Sequence, residues 1–130
     1  MKKASNTYIL SLVDIKILDT VSLLNEKKIY PLPEGIYLIL KGSERSEIDD
    51  YRHLPTYKTL VSFSQKKISK FIMMLLRYHY LENKYDIPSD KFYLKITDKG
   101  IVALIDYHKK HRYSYKQKKV KCRTLFLIEE

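Results

Sequence analysis

Apolar residues recur at helical spacing early in the chain and stop at a polar run. They predict a helix over about residues 14–27, with Asp14 as the N-cap because its carboxylate can accept unpaired amide protons; the apolar positions are Ile15, Ile17, Leu18, Val21 and Leu24. The preceding stretch Tyr8–Val13 has little helical period and fits a strand, although one longer helix from near Ser5 fits the same residues. The start of the first helix therefore has two alternatives.

Prolines and a glycine mark the ends of a second, short helix. Pro33-Glu34 suits a first helical turn, and Gly42 can close the helix in a left-handed conformation. A polar, acidic stretch follows, which can carry a short helical turn near Ile48. The pattern then predicts a third helix over about residues 64–79, with Ser64 as N-cap and a buried stripe of Ile68, Phe71, Ile72, Leu75 and Leu76.

Two strand candidates follow the third helix directly and predict a β-hairpin. They cover residues 80–85 and 91–96, and the second alternates between apolar and polar positions. Thr97-Asp98 then begins a last helix over about 98–111, in which we expect four inward residues: Ile101, Val102, Leu104 and Ile105. We expect a basic linker after Arg112 and a terminal strand over 124–128, which can pair with the strand candidate near the N-terminus.

The order of three helices, a hairpin and a helix predicts an α+β winged helix, with possible extra terminal strands. In this helix-turn-helix variant, the third helix or the hairpin wing approaches DNA. We divide the chain into an extension with a strand candidate (1–13), the winged-helix domain (14–111) and a basic tail (112–130). The length of 130 residues is room for one domain.

The charge is concentrated in two segments. The whole chain has a formal net charge of +10, whereas residues 51–81 and 107–128 contain no acidic residue and together carry +14. Such single-signed segments favour a polyanionic partner. Because the tail lacks the large apolar residues of a membrane-surface helix, nucleic acid is preferred over a membrane. The alternative is that lysines cluster by chance on solvated faces.

The single cysteine, Cys122, excludes an internal disulfide and a multi-cysteine zinc site. His108, His111 and Cys122 lack a fourth ligand and are surrounded by cations, so we expect no metal and no cofactor. The N-terminus lacks a signal-peptide pattern, and no run is long enough for a transmembrane helix. We therefore expect a cytoplasmic protein, associated with the nucleoid or nucleus through DNA.

Four short runs in this order resemble the RQC (RecQ C-terminal) winged-helix domain of RecQ-family helicases. They are Leu40-Lys41-Gly42-Ser43, Ile48-Asp49-Asp50-Tyr51-Arg52-His53, Leu75-Leu76-Arg77-Tyr78-His79-Tyr80-Leu81 and Lys95-Ile96-Thr97-Asp98-Lys99-Gly100, and the resemblance covers about residues 15–107. The helicase P-loop and the cysteines of the zinc subdomain are missing. The resemblance thus implies a stand-alone DNA-binding domain, with a helicase as an expected partner.

The resemblance also implies where DNA is bound. Lys41 and Ser43 would touch phosphate at the end of the second helix, and Tyr85 and Phe92 would flank a wing tip placed where strands part. Lysine replaces the arginine that is common at position 41, and the turn after Ser43 is acidic, which disfavours phosphate there. The other expected DNA-binding residues are Ser64, Lys66, Lys67, Lys70, Lys91, Lys109, Lys110 and Arg112.

We therefore expect a non-catalytic module that binds duplex or junction DNA mainly through phosphates, in repair or recombination or in support of a helicase. One alternative is a dimeric winged-helix transcription regulator, in which the terminal strands could form a homodimer contact. A second alternative is an RNA- or protein-binding winged helix. Mutation of the third-helix lysines distinguishes this second alternative from DNA binding, because such a module would keep its function without them.

Overall fold

Four α-helices and a two-stranded antiparallel hairpin build the fold, in the order that the sequence predicts. The computed structural model describes residues 8–118, the last eight of them as helix backbone only. The elements are α1 (Leu12–Glu26), α2 (Pro33–Lys41), a 3₁₀ helix (Ser46–Tyr51), α3 (Gln65–Arg77), β1 (Leu81–Asp86), β2 (Lys91–Ile96) and α4 (Asp98–Lys118). This arrangement is a winged helix, with the hairpin as the wing.

One apolar core holds the helices and the base of the wing together. The predicted stripe of α1 is buried, and α1 packs against all the other helices and β2. From α3, the buried side chains are Ile68, Ile72 and Leu75. Leu81 and Leu94 bring the base of the wing into the same cluster. The core therefore fixes where α3 ends and where the wing begins.

The first helix begins earlier than predicted, and the strand expected over Tyr8–Val13 is wrong. Leu12 and Val13 are helical, residues 8–11 have no regular structure, and Ser11 rather than Asp14 is the N-cap. The Ser11 hydroxyl accepts from the Asp14 amide at 3.3 Å, while the Asp14 carboxylate accepts from the Ser11 amide at 2.9 Å. This reciprocal capping box sets the start of the helix, which also excludes a helix running through Tyr8.

The carboxylate of Asp14 is buried beneath the N-terminal segment. Burial raises the pKa of this carboxyl group, although the hydrogen bonds from Ser11 and Tyr8 act in the opposite direction. Burial and the nearby Asp14 charge raise the pKa of Tyr8 to about 12. The Tyr8 ring also stacks on Tyr78, with 5.0 Å between the ring centroids. These contacts join the start of α1 to the end of α3.

The last helix is longer and less buried than predicted. It continues to Lys118, so the expected linker after Arg112 is wrong over 112–118, a stretch without glycine or proline to end a helix. Only Leu104 among the four expected inward residues is buried; Ile101, Val102 and Ile105 are exposed, because α4 packs on α1 and β2 through one narrow stripe. The predicted terminal strand over 124–128 lies outside the described residues.

The Asn25 side chain connects the end of α1 to the wing. Its amide nitrogen donates to the carbonyls of Ile29 at 2.9 Å and Leu94 at 3.5 Å, and its Oδ1 accepts from the Ile96 amide at 2.8 Å. The Leu94 amide donates to the Pro31 carbonyl at 2.8 Å. The edge of β2 that does not pair with β1, its inner edge, is thus hydrogen-bonded by Asn25 in the last turn of α1 and by Pro31 after it.

Gly100 permits the close contact between the start of α4 and the end of α3. A Cβ atom at this position would collide with the Tyr80 carbonyl oxygen and lie 2.7 Å from Ile96 Cγ1. Gly100→Ala should therefore lower the free energy of unfolding by about 2 kcal/mol, measured by urea denaturation. Gly35→Ala is the control: its Cβ would meet only Pro31 Cβ at 3.9 Å, and we expect no loss. If both variants lower the free energy of unfolding equally, the close contact at Gly100 is not the cause of its loss.

Replacing Asn25 by alanine should destabilise the whole domain. The change removes the bonds to the wing and leaves the Ile96 amide without its acceptor, which should cost about 2 kcal/mol in the free energy of unfolding. Asn83→Ala is the control, because Asn83 is exposed on β1 and should change stability by less than about 0.5 kcal/mol. If the Asn25→Ala variant unfolds at the wild-type urea midpoint, the hydrogen bonds of Asn25 do not stabilise the wing.

Candidate nucleic-acid interface

The second helix ends in a tight turn that exposes Lys41 and half-buries Ser43. Gly42 has the left-handed conformation (φ +81°), and its amide donates to the carbonyls of Leu38 and Ile39, both at 3.1 Å. The Ser43 amide also donates to Leu38, at 2.9 Å. The prediction that Gly42 closes α2 is confirmed. This turn places the two expected residues Lys41 and Ser43 side by side at the surface.

The connector before α3 is hydrogen-bonded to the same helix end. The amides of Lys58 and Leu60 donate to the last carbonyls of α2, at 2.8 and 2.9 Å, and the Tyr57 hydroxyl donates to the Ser43 carbonyl at 2.9 Å. Ser64, the N-cap of α3, follows Leu60 by only four residues. The exit of α2 and the entry of α3 are therefore neighbours, and we call their exposed and half-buried residues together the lysine face (Lys41–Ser43, Lys58, Ser64, Lys66, Lys67 and Lys70).

The first turns of α3 supply most of the positive charge on the lysine face. The Ser64 hydroxyl accepts from the Lys67 amide at 3.1 Å, which confirms Ser64 as the N-cap. Lys66, Lys67 and Lys70 are exposed, and the first turn contains no acidic residue. The positive end of the helix dipole and three exposed lysines thus lie in the same half of α3, with the Lys67 ammonium 5.9 Å from the centroid of the Phe63 ring. This is an arrangement that suits phosphate oxygens.

The tip of the wing carries an exposed apolar cluster. Tyr85 and Phe92 are opposite each other in the β1–β2 register, with ring centroids 4.9 Å apart and exposed fractions of 46% and 57%. Ile87 in the turn between the strands is 78% exposed. The Tyr85 hydroxyl donates to Asp90 at 2.5 Å, and this hydrogen bond raises the pKa of Tyr85. Sequence analysis predicted the two aromatic residues at the tip but not Ile87.

Lysines follow the wing, and most of them have a partner within the hairpin or beside it. Lys91 is exposed and lies opposite Asp86 in the register. Lys95 is 3.9 Å from the Glu82 carboxylate, and the ammonium of Lys84 is 5.0 Å from the centroid of the Tyr30 ring. The wing is closer to neutral than the lysine face because its three lysines are balanced by Glu82, Asp86 and Asp90. Its tip differs from the lysine face because Tyr85, Ile87 and Phe92 are exposed there beside the carboxylates of Asp86 and Asp90.

Lys109 of α4 lies beside α1. Lys109 lines a groove between α1 and α4 together with Lys16 and Asp19, and the Lys110 ammonium is 3.5 Å from the Asp106 carboxylate. Arg112 belongs to the same helix. The structure therefore groups Lys109 with α1 rather than with Ser64–Lys70. In the same groove, His108 Nε2 is 2.8 Å from an Asp19 oxygen.

The acidic turn after Ser43 is partly neutralised by its own arginines. Arg45 reaches Glu47 at 2.8 Å and Glu34 at 3.4 Å, and Arg52 reaches Asp49 at 2.9 Å. The hydrogen bond from Arg45 lowers the pKa of Glu47. Two of the carboxylates that were expected to repel phosphate, those of Glu47 and Asp49, are thus paired with arginine. The predicted helical turn around Ile48 is confirmed as the 3₁₀ helix.

The described residues show neither a membrane-spanning helix nor a cluster of metal ligands. No helix within them is long and apolar enough to cross a membrane. Among the same residues, no group of three or more His, Cys, Asp or Glu side chains is placed to hold a metal ion.

A comparison with protein-family models agrees with this geometry. The model of the RQC domain matches residues 34–121, about two thirds of the chain. The chain belongs to the RQC domain family. RQC domains are DNA-binding, non-catalytic winged helices of RecQ helicases, so membership confirms the fold and implies nucleic-acid binding. The match begins in α2, beyond α1. None of the curated proteins compared with the chain matches it.

Proposed function

We propose that this RQC domain is a non-catalytic module that grips duplex DNA through its phosphates and places the wing tip at a duplex end or junction. The observation that carries the proposal is the separation of two surfaces. The lysine face is exposed and cationic, whereas the tip exposes the apolar side chains of Tyr85, Ile87 and Phe92 together with the carboxylates of Asp86 and Asp90. Cations suit the backbone, and exposed aromatic rings suit the face of a terminal base pair.

The dimensions of the fold support simultaneous contacts. The wing starts at the end of α3 opposite Ser64, and a helix of 13 residues is about 20 Å long. The six-residue strands place the tip about 20 Å from the base of the wing. One domain can thus hold phosphates with the lysine face while its tip contacts DNA several base pairs away. This arrangement fits DNA repair or recombination and a helicase that supplies the motor.

Neutralising two lysines of α3 should weaken DNA binding and its salt dependence. For Lys66→Gln/Lys67→Gln we expect about tenfold weaker binding to a forked duplex near 0.1 M salt and a salt slope smaller by about two. Lys27→Gln/Lys28→Gln is the matched control: an exposed adjacent pair at the end of α1, with the same loss of charge. Fluorescence anisotropy against salt measures both.

Four outcomes of these binding measurements have different meanings. Loss confined to the α3 pair supports the lysine face as the phosphate contact. An equal loss in both pairs would mean that only the overall charge matters. Negligible binding of the wild-type protein to blunt, forked and single-stranded DNA at low salt would contradict the proposed function, and preference for one palindromic sequence would favour a transcription regulator.

Removing an aromatic ring from the wing tip should abolish recognition of duplex ends. We expect the wild-type protein to bind a forked duplex more tightly than a dumbbell duplex closed at both ends, because stacking on a base contributes about 1–3 kcal/mol. Phe92→Ala should lose this preference and retain dumbbell binding. Val102→Ala, also exposed but on α4, should retain both. If Phe92→Ala keeps the preference, the tip does not contact the DNA end.

A further inference from the structure

The last helix presents apolar side chains to an open groove that runs between α1 and α4. The groove has a volume of about 770 Å³, and the buried side chain of Leu104 belongs to its lining. Ile101 and Ile105 also line it, yet they are 39% and 58% exposed. None of the described residues covers these two side chains. Exposed apolar surface that forms a groove is typical of a place where another segment or molecule binds.

The charges around the groove are balanced, which does not suit a polyanion. Lys16 and Lys109 line the groove together with Asp19 and Glu26, so two cations face two carboxylates. His108 Nε2 is 2.8 Å from an Asp19 oxygen and connects the two walls. A nucleic-acid backbone, which is attracted by an excess of positive charge, is therefore a poor occupant. An apolar occupant fits this groove better.

The chain contains one apolar run among the residues that the structure does not describe. Residues 125–128 read Leu-Phe-Leu-Ile, and residues 1–7 hold no comparable run. Sequence analysis expected residues 124–128 to pair with a strand over Tyr8–Val13. Because Leu12 and Val13 belong to α1, that strand does not exist. The apolar run has thus lost the partner that the sequence suggested for it.

The C-terminal run is long enough to reach the groove. Lys109 and Lys118 are nine residues apart on α4, which corresponds to about 14 Å along the helix. The five residues 119–123 can span up to about 17 Å, so Thr124 can lie beside Lys109. Residues 124–128 can span up to about 17 Å more, and only about 12 Å separate Lys109 from Ile101 along the helix. The run can therefore cover the groove from one end to the other.

We propose that residues 124–128 bind in the groove between α1 and α4 of the same chain and cover Ile101 and Ile105. The inference does not depend on DNA binding, and it extends the domain beyond the boundary at residue 112 that sequence analysis set. Two competing arrangements exist. A second copy of the chain could fill the groove, or the run could pair with β1, which within the described residues pairs with β2 alone.

A double-mutant cycle tests whether the run and the groove share one contact. Ile105→Ala and Phe126→Ala should each lower the melting temperature by about 4 °C, because each removes apolar contact between the run and the groove. The double variant should melt at about the same temperature as Phe126→Ala alone, since the contact is lost only once. Val102→Ala is the control: Val102 is 63% exposed on α4 but does not line the groove, so we expect no change. Wild-type melting temperatures in both single variants, or additive losses in the double variant, would overturn the proposal.

Two further measurements identify the occupant even if the changes in melting temperature are small. In amide NMR spectra, Phe126→Ala should shift the signals of Leu23 and Ile105 in the groove and leave those of Glu82 and Lys84 on β1 unchanged. Shifts on β1 instead would mean that the run pairs with the wing, and the proposal would be wrong. The wild-type protein should sediment as a monomer, with a melting temperature independent of its concentration. A dimer whose melting temperature rises with concentration, and which Ile105→Ala dissociates, would assign the groove to a second copy and contradict the proposal.

Discussion

The wing depends on the hydrogen bonds that the end of α1 makes along β2. A two-stranded hairpin is marginally stable alone in water, and this one buries little beyond the side chains at its base. The Pro31 carbonyl and the Asn25 side-chain amide satisfy the inner edge of β2, which gives the hairpin the equivalent of a third strand. Because α1 also packs on α3, the same helix sets the direction of the wing relative to the lysine face.

A second set of backbone bonds gives the lysine face its shape. The connector is anchored to α1 by a buried hydroxyl pair, Thr20 and Thr56, whose Oγ1 atoms are 2.6 Å apart. From there its next residues pair with the carbonyl end of α2 and lead directly into α3. The ammonium groups can vary in conformation, but the backbone that carries them is fixed at three points. This preorganisation lowers the conformational entropy that binding of a nucleic-acid backbone would cost.

The sequence was sufficient for the order of elements and for most of the core, because helical spacing, the proline and glycine positions and the alternation in β2 all indicate the same fold. It misplaced the start of α1, since Leu12 and Val13 suit a strand as well as a helix until the Ser11–Asp14 capping box decides. The helical spacing also predicted more buried residues in α4 than the structure shows. How much of a helix is covered depends on its neighbours, which the spacing of one helix does not reveal.

The same limit applies to the candidate site. The lysines of α3 and the aromatic residues of the wing tip follow from sequence order, because each belongs to one element. Lys58 and Lys109 do not, because their surroundings come from distant segments: Lys58 lies on the end of α2, and Lys109 lies beside α1. Long-range packing thus decides which of the many basic residues share a surface.

The arrangement of the sheet has a consequence for solubility. The inner edge of β2 is covered, whereas β1, within the described residues, pairs with β2 alone and leaves its other edge open. Open strand edges are templates for pairing with further chains. Here the exposed middle of β1 carries Glu82 and Lys84, and charged side chains on an edge oppose such pairing. The polar composition of β1 therefore protects the exposed wing from becoming the nucleus of an aggregate.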